Sequence, residues 1–151
     1  MDLVYKLFLT IFSIFFPFVF TLGENQKPSI SFHKDIKPIF QANCNGCHQP
    51  AKMKGDYLMT EFVALLEGGE TGKIAIVPGK PEDSYLFDQI KLNEQGESEM
   101  PKGSKSKPLH PHQISKIEEW IKQGAKDDSP EGSESLYSMA NKPVYQTLPL
   151  V

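Results

Sequence analysis

The chain has 151 residues, enough for one compact domain with tails, and its 39% hydrophobic and 23% charged residues are typical of a soluble globule. Its formal net charge is −3, and its 16 basic residues other than histidine are all lysines. Without arginine or excess positive charge, the chain lacks the bidentate contacts and the attractive field that nucleic-acid binding uses. We therefore expect no nucleic-acid partner.

An apolar segment opens the chain. Lys6 provides a short charged region, and residues 7–22 then form an uncharged run rich in phenylalanine. This pattern is typical of a secretory signal peptide, and the small residues Thr21 and Gly23 predict cleavage after Gly23. We therefore expect residues 1–23 to be a signal peptide and the protein to be exported to the periplasm. The alternative is an uncleaved N-terminal anchor, which would hold the protein at the membrane.

The first predicted helix of the mature chain begins after Ser31, a residue type that favours the N-cap position. Apolar residues then recur at spacings of three and four, as on one face of a helix: Phe32, Ile36, Ile39 and Phe40. Pro38 is tolerated only near a helix start or at a kink, so we expect this helix to be short or bent.

Residues 44–48 read CNGCH and contain both cysteines of the chain. A disulfide across two intervening residues would close a very small loop and constrain the unfolded chain little. The pattern C-x-x-C-H is instead the attachment signature of c-type haem. Cys44 and Cys47 would form thioethers with the two vinyl groups, and His48 would be the proximal iron ligand.

Two other interpretations of CNGCH remain open. A zinc site needs about four ligands, and the remaining histidines show no paired, zinc-like spacing with the two cysteines: His33, His110 and His112. A thioredoxin-like thiol pair would follow a strand and open a helix in a βαβ unit. Here a helical pattern precedes the motif, no sheet is predicted, and residues 49–57 are expected to form a loop.

Three more helical segments are predicted downstream. Thr60 is the expected N-cap of one that Gly68 ends, Pro81 begins the next, and the last carries Trp120 and ends at Gly124 as C-cap. The expected fold class is therefore all-α: a small, loop-rich helical domain wrapped round one covalently bound haem. Residues 127–151 are predicted to be a linker and tail. We expect the tail to lead into a missing downstream domain, and the alternative is a tail that docks on the domain or is disordered.

The sixth iron ligand is less constrained by the sequence. Met100 lies on a glycine- and lysine-rich loop and is the preferred distal ligand, because methionine and histidine usually fill this position. Met53 follows the motif too closely to reach round the haem, and Met59 starts an apolar segment typical of a core. His110 or His112 is the alternative distal ligand.

Four stretches follow, in order, the pattern of a known family: KPIFQANCNGCHQPAKMKGD, LLEGGETGKIAIVPGKPEDSYLFDQI, MPKG and ISKIEEWIKQGA. Over about residues 32–125 the chain resembles the planctomycete-type cytochrome c domain, which we place at residues 30–126. The resemblance implies a class I cytochrome c fold, in which the helices that carry Phe40 and Trp120 cross.

The resemblance also implies that Cys44, Cys47 and His48 attach and ligate one haem c, and that Met100 is the distal ligand. Relatives usually open the last helix with serine or threonine, whereas here His110 precedes a weaker capping box. Without arginine, other donors must hold the haem propionates.

The function expected from these features is electron transfer by an exported monohaem cytochrome, with a redox protein as partner and no catalytic site of its own. The alternatives are a haem-based ligand-binding sensor and a haem subunit of a larger oxidoreductase complex. Two charge runs flank Met100 and could steer a partner: Glu94, Glu97 and Glu99 before it, Lys102, Lys105 and Lys107 after it.

Overall fold

The computed structural model describes residues 28–103 and 106–131, and its helices and strands lie in these two ranges. The α-helices are α1 (Lys37–Asn43), α2 (Phe62–Glu67), α3 (Tyr85–Ile90) and α4 (Pro111–Lys122). Two strands, β1 (His48–Gln49) and β2 (Lys52–Met53), pair antiparallel. The shorter turns are a π-helical turn (Phe32–Ile36) and the 3-10 turns Lys54–Asp56 and Pro81–Asp83.

Several predictions for the two ends lie outside the described residues. These are the signal peptide or anchor at 1–23 and, beyond residue 131, most of the predicted linker and tail. Within 28–103 and 106–131, no helix has both the length and the apolar character that crossing a membrane requires.

The all-α prediction needs one correction, because residues 48–53 form a small β-hairpin. His48 pairs with Met53, and Gln49 pairs with Lys52. Pro50 is the first residue of the two-residue connection between the strands, where its fixed φ favours a turn. The domain is therefore a loop-rich set of short helices with one two-stranded sheet, and part of the predicted loop at 49–57 is a hairpin.

The first helical segment is divided as Pro38 predicted. The Ser31 side chain caps it by accepting a hydrogen bond from the Lys34 N–H at 3.0 Å. A π-helical turn follows, and α1 then starts with Pro38 in its first turn, where the missing N–H costs no intrahelical bond.

Part of the core lies between the π-helical turn and α4, and buried residues of α1, α2 and α3 join it. The Phe32 and Trp120 rings stack with centroids 5.4 Å apart, and Ile36 and Ile117 are completely buried. Lys116 on α4 also reaches back to Asp35, with Nζ and Oδ1 2.9 Å apart. The last helix therefore packs on the start of the first helical segment, through Phe32 and Ile36.

The boundaries of three helices differ from the predictions by a few residues. Glu61 is the N-cap of α2, without a side-chain cap bond, so Thr60 as its cap was wrong. Pro81 begins only a 3-10 turn, and α3 starts four residues later. The C-cap of α4 is Gln123, and Gly124 follows it with φ 98°. Gly68 does end α2, as predicted.

Candidate functional site

The backbone carbonyl of Cys44 accepts two hydrogen bonds within the CNGCH turn. Helix α1 ends with Cys44 as its C-cap, and the Cys44 N–H donates to the Phe40 carbonyl at 2.8 Å. The Cys44 carbonyl then accepts from the Cys47 N–H at 3.0 Å and from the His48 N–H at 3.1 Å. The structure therefore brings Cys44, Cys47 and His48 into one compact turn at the end of α1.

The two thiols are not arranged for dithiol redox chemistry. Both cysteines are free, and burial raises the pKa of Cys44 from 9.0 to about 12, with a smaller contribution from Cys47. Reactive thiolates usually sit at helix N-termini, where the dipole favours negative charge, whereas Cys44 lies at a helix C-terminus. A neutral, half-buried thiol packed against the core fits covalent attachment to an apolar group better than thiol exchange.

One nitrogen of the His48 imidazole lacks a hydrogen-bond partner within residues 28–103 and 106–131. Its Nδ1 is buried and has no hydrogen-bond partner among the described residues. Buried polar atoms in folded proteins are normally partnered, so the described part of the chain leaves this nitrogen without the hydrogen bond that would usually fix the ring. The donor set of two thiols and one uncommitted imidazole within a single turn fits a c-type haem.

Tyr57 is a site residue that the sequence analysis missed. Its ring meets the His48 ring edge-on, with centroids 5.5 Å apart and 61° between the planes. Its hydroxyl donates to the Leu65 carbonyl at 2.7 Å, and burial raises the Tyr57 pKa well above its usual range, followed by a contribution from Cys44. The half-buried Tyr57 ring, with its hydroxyl bonded, forms a rigid surface beside the imidazole.

A glycine makes this position of the Tyr57 ring possible. A Cβ at Gly69 would lie 2.1 Å from the Gly55 carbonyl oxygen and 2.9 Å from the Tyr57 Cβ. Only glycine therefore allows the segment after α2 to press against the segment that carries Tyr57. The GGETG stretch is the sequence feature that indicates a close contact here. Its partner, Tyr57, could not be identified from the sequence.

Met100 is held by its own backbone. Its N–H donates to the Gln89 carbonyl at 2.8 Å, and its carbonyl accepts from the Ser98 hydroxyl at 2.6 Å. The side chain is half-buried and packs against the same apolar core as Cys44. Met100, 52 positions beyond His48, is thus hydrogen-bonded to the end of α3, and its side chain contacts the core.

Two other methionines lie among the described residues, and only Met59 had an expected position, in the core. Met59 is 5% exposed and belongs to the core, whereas Met53 is 39% exposed on β2. Neither shares the half-buried loop position of Met100, and Met100 as distal ligand stays a prediction.

The two histidines at the start of α4 take part in capping the helix. His110 is the N-cap: its side chain accepts from the His112 N–H, and its own N–H donates to the Gln113 side chain. The weaker capping box expected at this position is therefore formed. Both rings are exposed, and their Nδ1 atoms lie 2.9 Å apart.

The part of the chain that the structure describes contains no set of ligands for zinc. There, no group of three or more histidine, cysteine, aspartate or glutamate side chains is placed to hold a metal ion. The backbone N–H of His33 donates to the Asp128 carboxylate at 2.8 Å.

The charge runs around Met100 are partly neutralised. Lys102 pairs with Glu99 at 3.0 Å, and both side chains are largely exposed. Such a pair contributes little to stability and weakens the separation of charge that the sequence predicts. Lys105 lies outside the described residues.

Comparison with known proteins finds one similar family. Residues 44–103 match the family model for Planctomycete cytochrome C, while the chain matches no curated protein and no solved structure. The matched span begins at Cys44 and includes His48 and Met100. A cytochrome c domain implies haem. The resemblance stated from the sequence is confirmed over residues 44–103, which are similar to the planctomycete cytochrome c family.

Proposed function

We propose that this protein is an exported monohaem c-type cytochrome that transfers electrons and has no catalytic site of its own. Cys44 and Cys47 form the thioethers, His48 is the proximal ligand and Met100 is the distal ligand. The observation that carries the proposal is the CNGCH turn. Its Cys44 carbonyl accepts hydrogen bonds from the Cys47 and His48 N–H groups, and the His48 Nδ1 has no hydrogen-bond partner among the described residues.

Bound at this turn, haem would supply one-electron chemistry, Fe(II) to Fe(III) and back. The chain's own residues have a simpler task, which is to bind the group, fix its ligands and keep water away. Core packing of Cys44 and of the Met100 side chain supports an apolar site of this kind. Histidine and methionine as ligands favour a raised reduction potential, which suits a carrier.

Export is part of the proposal for a chemical reason. Covalent attachment of haem c takes place outside the cytoplasm, so a chain with this motif needs an export signal, and residues 1–23 have the composition of one. We propose a periplasmic location, with a membrane-anchored form if residues 1–23 are not removed, and a redox protein as partner.

The test is covalent haem retention by the full chain, produced with and without a system that matures c-type cytochromes. We expect the mature protein to keep its haem through denaturation and acidic organic extraction, with a c-type spectrum in alkaline pyridine. The Cys44→Ala/Cys47→Ala double variant should lose all extraction-resistant haem. His112→Ala, which changes an exposed ring, is the matched control and should retain it.

Two results would contradict the proposal. One is a mature chain without extraction-resistant haem, and the other is a double variant that still retains it. Tight binding of CO by the native reduced protein would instead favour the ligand-sensor alternative, because it would require a weak or displaced sixth ligand.

A further inference from the structure

The imidazole of a metal-bound histidine normally has its rotation fixed by a hydrogen bond from its second nitrogen to a carbonyl or carboxylate. His48 lacks such a bond among the described residues, since its Nδ1 is buried without a partner. Its backbone is well anchored, because the His48 carbonyl accepts from the Met59 N–H at 3.0 Å. The position of the residue is thus fixed, but rotation of its ring is not fixed by a hydrogen bond.

The Tyr57 ring is the group placed to restrain that rotation. It meets the imidazole edge-on, with a centroid distance of 5.5 Å and an interplanar angle of 61°. This geometry is a favoured one for aromatic pairs, and such pairs contribute about 0.5–1.5 kcal/mol beyond their burial. Turning the imidazole about its Cβ–Cγ bond would break the contact or drive the two rings together.

Tyr57 is itself restrained by groups other than His48. Its hydroxyl donates to the Leu65 carbonyl on α2 at 2.7 Å, which fixes the far end of the ring. At the near end, the Tyr57 Cβ lies against Gly69, where any side chain would collide with it. The Glu70 N–H also donates to the Gly55 carbonyl at 2.8 Å, which ties the two segments together. The tyrosine ring is therefore anchored at both ends.

We propose that Tyr57 is a positioning residue that sets the rotation of the His48 imidazole, by aromatic packing in place of a hydrogen bond to Nδ1. The inference rests on the proposed function, because it concerns His48 as the iron ligand. Its readout is a spectroscopic property of the ligated ring, which loss of folding stability alone would not change.

The experiment compares the matured wild-type chain with Tyr57→Phe and Tyr57→Leu by low-temperature EPR of the ferric protein and by reduction potential. The rotation of an iron-bound imidazole is one of the factors that set the g values of a low-spin ferric haem. We expect Tyr57→Leu, which removes the ring, to shift or broaden the largest g value and to shift the potential. Tyr57→Phe keeps the ring but loses the bond to Leu65, and should give a smaller change of the same sign.

Tyr85→Phe is the matched control, because it removes a tyrosine hydroxyl from a ring whose observed partner is Lys73 rather than His48. It should leave both readouts unchanged. Unaltered g values and potential in Tyr57→Leu, with only a lower melting temperature, would overturn the inference and give Tyr57 a purely structural role.

A second measurement covers the case in which Tyr57→Leu does not mature. NMR of the reduced wild-type protein should show nuclear Overhauser contacts between the Tyr57 and His48 rings, and their absence would overturn the inference. Failure of the proposed function looks different, since the wild-type chain would then carry no covalent haem at all.

Discussion

Met100 is held in place through its backbone amide and its carbonyl. The Met100 amide is tied to Gln89 at the end of α3, and its carbonyl is tied to Ser98 within its own loop. Among the described residues, both observed hydrogen bonds of Met100 are made by its backbone. If the side chain is the proposed ligand, its truncation should therefore remove that ligand while the bonds that hold the loop remain.

We predict that Met100→Ala converts the haem from low-spin to high-spin or to a form that binds CO when reduced. The absorption spectrum should lose the weak near-red band of methionine ligated to ferric iron. Met53→Ala is the control, because Met53 is 39% exposed on β2, and its spectrum should match the wild type. A low-spin spectrum unchanged in Met100→Ala would contradict the assignment and direct attention to His110 or His112.

The site residues differ in how far the sequence could identify them. Cys44, Cys47 and His48 are contiguous in a motif whose spacing is set by the chemistry, so they could be predicted without a fold. Tyr57 could not, because its contact with His48 depends on the Met59 backbone bond and on the close approach at Gly69. For Met100, the residue could be predicted but its anchoring to Gln89 could not.

At the scale of elements, the start of α4 depends on an uncommon cap. His110 accepts through Nδ1, while Gln113 completes the box from within the helix. The ring can act as an acceptor only when it is neutral, since both nitrogens of a protonated imidazole are donors.

We predict that His110→Ala lowers the free energy of unfolding by about 1 kcal/mol, as the loss of a side-chain cap usually does. His110→Ser keeps a capping oxygen and should remain within a few tenths of a kcal/mol of the wild type at neutral pH. Urea denaturation of the holoprotein measures both. Equal stabilities of the alanine and serine variants would show that the cap contributes nothing.

A second link between elements is sensitive to pH. A hydrogen bond from Lys116 holds the pKa of Asp35 below its ordinary value of 3.8, and the Ser31 N–H lowers it further. Because the folded-state pKa is depressed, the stabilisation is present above pH 3.8 and is lost as the pH falls through the folded-state value. The side chains are about a third exposed, so solvent screening reduces the contribution.

We predict that Lys116→Met costs about 0.5 kcal/mol at neutral pH, in line with partly exposed ion pairs, and that the cost disappears in strong acid. Urea denaturation at neutral pH and below pH 3 measures the difference between variant and wild type. Lys80→Met is the control, because its pair with Asp83 is 3.5 Å long and more exposed. A cost of Lys116→Met that persists in acid would assign the effect to packing instead.

Elements controlled by local interactions could be predicted, and those controlled by tertiary contacts could not. The Ser31 cap, the break at Pro38 and the end of α2 at Gly68 each follow from one residue's conformational preference. The hairpin at 48–53 has strands of only two residues, which leave no periodic signal. Its outer bonds, from Lys54 to Cys47 and from Met59 to His48, depend on how the loop folds back.

At the scale of the whole molecule, loops hold the site as much as helices do. The segment after α2 lies against the segment after the hairpin, and the contact at Gly69 has no space for a side chain. The glycine-rich turn after α2 is thus a packing requirement that connects α2 to the CNGCH turn through Tyr57.

We predict that Gly69→Ala destabilises the protein by about 1–3 kcal/mol, since overpacking against backbone forces the two segments apart. Gly46→Ala is the matched control, because a Cβ there would meet nothing within 4 Å and φ is not in the left-handed region. Thermal and urea unfolding of the two variants give the comparison. Similar stabilities would show that the loops separate at no cost.

The central claim is that the chain carries one covalently bound haem that exchanges one electron reversibly at the CNGCH turn. The most direct measurement is a spectroelectrochemical titration of the matured, purified full chain, followed by a spectrum of the denatured protein in alkaline pyridine. We expect a c-type spectrum. We also expect a single reversible transition, in which the ratio of oxidised to reduced protein changes tenfold per about 59 mV. A chain without bound haem, or a haem that shows no reversible one-electron transition, would contradict the central claim.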